Sequence, residues 1–125
     1  MPLNSTGLKH RNDMWVALFQ IMESLRDDYL PSEPFYAAFT KIIIVHSMFQ
    51  PYLRYGRASS VTEISRRTGV PRQTVVRKLA ELVQQGIVEA RGRRYVPVTS
   101  FFNQPGSTRK FAKRRAMLKQ ALGIA

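Results

Sequence analysis

Residues Val61 to Val98 read VTEISRRTGVPRQTVVRKLAELVQQGIVEARGRRYVPV, and the order of signals within them decides the fold. Ser60-Val61-Thr62-Glu63 has the S-x-x-E spacing of a capping box, in which serine and glutamate each satisfy a free backbone N–H of a helix's first turn. A short helix therefore starts at Val61. It stops near Gly69, because glycine cheaply takes the left-handed conformation that closes a helix and Pro71 cannot continue one. Pro71 suits the first turn of a new helix, where its missing N–H would have been unpaired anyway. From Thr74 to Gln85 the residues Val75, Val76, Leu79, Leu82 and Val83 share one face, so this second helix covers about 71–85 and closes at Gly86. Ile87 to Arg91 and Arg94 to Val98 then read as short strands around Gly92-Arg93, with glycine in the first central position of a type II′ turn.

Two helices joined by Gly69-Val70-Pro71 and followed at once by a basic hairpin make a winged helix-turn-helix over residues 60–98, with the wing at 87–98. This stretch resembles the winged helix-turn-helix of bacterial transcription regulators of the IclR and MarR families. The resemblance is carried by Glu63-Ile64, Thr68-Gly69-Val70-Pro71, Thr74-Val75, Arg77-Lys78-Leu79, Leu82, Gly86-Ile87-Val88 and Arg94-Tyr95, and it covers 38 of 125 residues. Its local wording is closest to IclR-type domains, whereas the chain length and the helices on both sides resemble MarR-like proteins more. It implies a regulator of transcription that binds double-stranded DNA.

The same residues support DNA binding without a family name. With Val75, Leu79 and Leu82 in the core, the helical step puts Gln73, Thr74, Arg77, Glu81 and Gln84 on the opposite face. The N-terminal part of such a helix enters the major groove, which makes Arg72, Gln73, Thr74, Arg77 and Lys78 the reachable groups. Arg77 matches guanine O6 and N7, Gln73 matches adenine, and Arg72 or Thr74 suits a phosphate near the positive end of the helix dipole. Arg91, Arg93 and Arg94 place three cations on the wing for phosphates or the minor groove. The competing reading is that Arg77 and Lys78 merely pair with Glu81 along the helix.

Working outward, residues 1–11 read as a flexible tail and 12–53 as two helices. The first, capped by Asn12 or Asp13, carries Trp15, Leu18, Phe19, Met22, Leu25 and Tyr29 as an apolar stripe. The second, about Glu33 to Gln50, has apolar groups over more than half its circumference, which predicts burial on two sides. Pro51 to Ser59 reads as a loop. After a further loop at 101–106, residues 107–122 form a basic helix with Arg109, Lys110, Lys113, Arg114, Arg115 and Lys119 and no acid. Phe111, Leu118 and Leu122 give it a narrow apolar stripe. It could lie on DNA phosphates, dock on Glu23, Asp27 and Asp28, or sit on an anionic membrane surface; docking with some cations left toward DNA fits best. The expected architecture is thus one mainly α domain of 125 residues: two N-terminal helices, a winged helix-turn-helix with a short two-stranded wing, and a C-terminal helix. A short recognition helix offers few base contacts, so a homodimer on two half-sites is expected, with the outer helices as its interface.

The chain carries 20 Lys+Arg against 8 Asp+Glu, a net charge of +12. Residues 1–53 hold four cations and five acids, and residues 54–125 hold 16 cations and three acids. Such asymmetry fits a polyanion partner, whose condensed counterions clustered Lys and Arg replace. Absence of cysteine removes thiol catalysis and thiolate metal sites, and His10 and His46 have no partner motif, so neither an enzyme nor a cofactor is expected. His46 reads as a polar residue at the margin of a buried helix. Trp15 and the phenylalanines could line a pocket for a small apolar effector, although such residues are more often core. No membrane segment is evident, so a cytoplasmic, nucleoid-associated protein is expected. The alternative is a winged-helix adaptor or architectural module that binds RNA, non-specific DNA or an acidic protein.

Overall fold

A computed structural model describes residues 5–103 and 107–123. In chain order the elements are α1 (Ser5–Tyr29), α2 (Phe35–Tyr55), β1 (Ser59–Ser60), α3 (Val61–Thr68), α4 (Arg72–Gln84), β2 (Val88–Arg91), β3 (Arg94–Pro97), α5 (Thr99–Phe102) and α6 (Ser107–Leu122). They group into two compact units, Met1–Pro31 with Pro105–Ala125, and Ser32–Gln104.

The unit Ser32–Gln104 is a winged helix. Ser60 Oγ accepts from the Glu63 backbone N–H while the Glu63 carboxylate accepts from the Ser60 N–H, so the capping box forms as its spacing predicts. Gly69 closes α3 at φ +76°, and Gly92 takes φ +64° at the wing tip, as the first position of a type II′ turn requires. The core consists of Ile44, Val45 and Met48 from α2, Ile64 from α3, Val75, Leu79 and Leu82 from α4, and Ile87, Val88 and Val96 around the hairpin. Burying each of these larger side chains contributes about 1.5–3 kcal/mol, enough to fix how α4 sits on α2 and α3.

Three features depart from expectation. The sheet has three strands in the order β1-β3-β2, because Ser59 and Ser60 pair antiparallel with Tyr95 and Arg94. Helix α2 runs on through Pro51 to Tyr55. Proline cannot donate to the carbonyl four residues back, that of Ser47; Arg67 Nη1 donates to this oxygen instead, at 3.2 Å, and also to Ser59 Oγ at 3.0 Å. Arg67 thereby satisfies both a proline-orphaned carbonyl and a buried hydroxyl. Finally, residues 99–102, which follow the expected return strand and run into the expected loop at 101–106, form the single turn α5, where Phe102 packs edge-on against Phe49.

The other unit pairs α1 with α6. Helix α1 begins at Ser5 rather than near Asn12, since nothing between Leu8 and Tyr29 breaks it. The flexible tail expected over 1–11 is therefore helical from Ser5, and residues 1–4 lie outside the described residues. Arg114 is buried; it bonds to Ser24 Oγ and Asp28, and its guanidinium lies over the Tyr29 ring. Of the acids expected to receive α6, Asp28 does so, whereas Asp27 pairs with Arg26. This contact selects the face of α1 that holds Ala17, Ser24 and Asp28; of the predicted apolar stripe, Trp15, Leu18 and Phe19 are left outward while Met22, Leu25 and Tyr29 are half-buried. Trp15 is 63% and Phe19 54% exposed. Neither is core in this unit.

Candidate nucleic-acid interface

Helix α4 presents two chemically distinct faces. Val75, Leu79 and Leu82 are completely buried, while Gln73, Val76, Arg77, Ala80 and Gln84 are exposed and Thr74 is half-buried. Gln73 and Arg77 make no hydrogen bond or ion pair with any described residue. The expected competitor for Arg77 is engaged elsewhere: Glu81 lies 3.1 Å from Lys41 Nζ and 3.7 Å from Lys78 Nζ.

Lys41 explains that arrangement. It is a buried cation on α2, 2.7 Å from Glu33, and it donates to Gln85 Oε1 at 3.2 Å, while Gln85 Nε2 donates to Glu33 at 2.9 Å. The network ties the C-terminal end of α4 to α2 and keeps Arg77 outward. A lysine within an apolar helix gave no sequence signal of this role, because its partners lie up to 44 residues away.

The other expected contacts divide. Arg72 is exposed and donates to Thr62 Oγ1 at 2.7 Å, holding the start of α4 to α3. Lys78 is withdrawn, with a side chain only 14% exposed and turned to Glu81, so it does not share the outward face of Arg77. Arg94 is likewise committed, donating to the Ala58 carbonyl at 3.1 Å and to Glu63 at 2.6 Å, so it braces the wing against α3 instead of extending from it. Arg91 sits loosely by Glu89, at 3.7 Å. Arg93, at the tip, is exposed and unpaired among the described residues. So is Arg66 on α3, a cation the sequence reading did not single out; its signal was its place on the helix that crosses the DNA backbone in this motif. His46 is exposed, with Nδ1 2.8 Å from the Ile42 carbonyl. Among the described residues no three His, Asp or Glu side chains come together as a metal site needs, and no helix is long and apolar enough to cross a membrane.

Two carboxylates feel these contacts. The Glu81 carboxyl is lowered below its ordinary value chiefly by its hydrogen bond from Lys41. For Glu63, burial pushes upward, but bonds from Ser60 and Arg94 together outweigh it and the carboxyl is also lowered. Both groups therefore take up protons more readily in the unfolded chain. Their stabilisation is present above the ordinary carboxyl value of 4.5 and is lost as pH falls through the folded-state values. Melting temperature is expected to drop between about pH 5 and pH 3, and less steeply in a Glu81→Gln variant. Equal slopes in thermal melts of the two proteins would remove Glu81 from this account.

A buried three-helix core with an exposed basic helix face and an arginine-tipped hairpin defines a winged-helix domain. Residues 52–94, from the end of α2 to the start of β3, match the model of the MarR family, a winged-helix family of transcriptional regulators. No curated protein and no solved structure matches the chain.

Proposed function

We propose that the protein is a sequence-specific regulator of transcription that binds double-stranded DNA as a homodimer, with α4 in the major groove and the wing on the backbone or minor groove. The observation that carries this reading is the unpaired, outward Arg77 beside Gln73, with Glu81 held away by Lys41. Arg77 and Gln73 would read base edges, Arg72 and Thr74 would meet phosphate at the helix N-terminus, and Arg66, Arg91 and Arg93 would add phosphate or minor-groove contacts. Lys78 and Arg94 would join only by leaving Glu81 and Glu63. The exposed Trp15 and Phe19 on α1 support self-association, since apolar groups of this size gain most from being covered.

Fluorescence anisotropy of labelled duplex DNA, taken from the gene's own upstream region and from a scrambled sequence, tests the reading across a salt series. Tighter binding to the upstream region, with affinity falling steeply as salt rises, is expected. Equal affinity for both duplexes would instead indicate an architectural binder, and no binding at low salt would redirect the search to RNA or an acidic protein. Light scattering of the free protein is expected to give the mass of two chains; a single-chain mass at micromolar concentration would overturn the dimer.

A further inference from the structure

Val76 breaks the pattern of the face it occupies. It lies one turn from Gln73 and Ala80 and beside Arg77, and it is 49% exposed, whereas its neighbour Val75 is completely buried. The apolar periodicity counts both valines as core; packing on α2 and α3 takes one and leaves the other outside. A valine half exposed in mid-helix is a poor surface residue, because it forms helix less readily than alanine, lysine or glutamate and its methyl groups gain nothing from water. The cost is offset where an apolar group covers it.

The major groove offers one such group. Base edges there present hydrogen-bond donors and acceptors throughout, except for the C5 methyl of thymine. A valine against any other edge would desolvate a polar atom without replacing its bond. Resting on the reading of α4 as the groove-entering helix, we propose that Val76 is a specificity-determining residue that recognises a thymine through its C5 methyl, next to the base pair read by Arg77 or Gln73. Ala80, small and on the same side one turn on, leaves room for the methyl. The face then reads DNA by two chemistries, hydrogen bonds from Gln73 and Arg77 and methyl contact from Val76.

The test uses the full chain and a duplex enriched by it from a random pool, with each thymine replaced in turn by deoxyuridine, which lacks only the methyl. Loss of one buried methyl-sized contact weakens binding about fourfold, and that loss is expected at one thymine in each half-site. A Val76→Ala protein is expected to bind the unmodified duplex about fourfold more weakly and to be indifferent to deoxyuridine at that position. Since Val76 lies outside the core, the variant keeps its fold, which circular dichroism checks. Equal sensitivity of both proteins at every thymine, or a wild-type protein that binds the duplex and ignores every replacement, would overturn the assignment to Val76 while leaving DNA binding intact. Failure to enrich or bind any duplex would overturn the DNA-binding reading, and this assignment with it.

Discussion

Arg77→Ala is expected to weaken binding to the preferred duplex by about 5- to 150-fold, the 1–3 kcal/mol that a bidentate arginine–guanine pair supplies in discrimination. Binding to scrambled duplex should change far less, because no guanine stands at the required register there. Arg93→Ala should behave in the opposite way. A cation at the wing tip meets phosphate or the minor groove, so its loss is expected to weaken all duplexes alike and to flatten the dependence of log affinity on log salt by about 0.9. The contrast follows from geometry. Arg77 is outward on a helix whose other face is fixed by three completely buried residues, so its reach is set to within a rotamer, whereas Arg93 sits on a two-residue turn. Anisotropy on cognate and scrambled duplexes decides between the roles: if both variants lost affinity equally on both duplexes, Arg77 would be a phosphate contact and not a base reader.

What was legible in the chain follows from how locally each feature is encoded. The Ser60–Glu63 box, Gly69 before Pro71, and Gly92 at the wing each need only three or four consecutive residues, and each appears in the structure where its spacing puts it. Strand β1 could not be read this way. Two serines become a strand only because Tyr95 and Arg94, some 35 residues on, offer them an edge. The extension of α2 through Pro51 is equally non-local, since it depends on Arg67 reaching the Ser47 carbonyl. Charge pairing was legible only in part. Lys78 and Arg94 look like contacts from their positions on the helix and wing, yet Glu81 and Glu63 engage them; the Lys78–Glu81 pair is local and stood as the competing reading, whereas Glu63 lies 31 residues from Arg94 and meets it only in the folded chain. On α1 the error came from assuming that the whole apolar stripe packs inward; Trp15, Leu18 and Phe19 stay exposed, while Arg114 draws Asp28 inward.

Leu79→Ala, two residues from Arg77 and facing the opposite way, is expected to reverse the pattern of consequences. Leu79 is completely buried at the centre of the α4 core stripe, so truncation removes its packing and leaves a cavity, at a cost of about 2–5 kcal/mol. That is a large share of the roughly 5–15 kcal/mol that holds a typical domain folded. The loss should appear as a lower denaturant midpoint with an unchanged slope, because the surface exposed on unfolding hardly changes. Val76→Ala, on the exposed face of the same helix, is expected to stay within about 0.5 kcal/mol of wild type in stability. The folded fraction of Leu79→Ala should still prefer its duplex by the same ratio over scrambled DNA, since Gln73, Val76 and Arg77 are untouched. Chemical denaturation beside anisotropy on the same preparations separates the two faces of α4. A Leu79→Ala protein of unchanged stability, or one whose cognate-to-scrambled ratio collapsed while it remained folded, would mean that the helix is not divided into a packing face and a reading face.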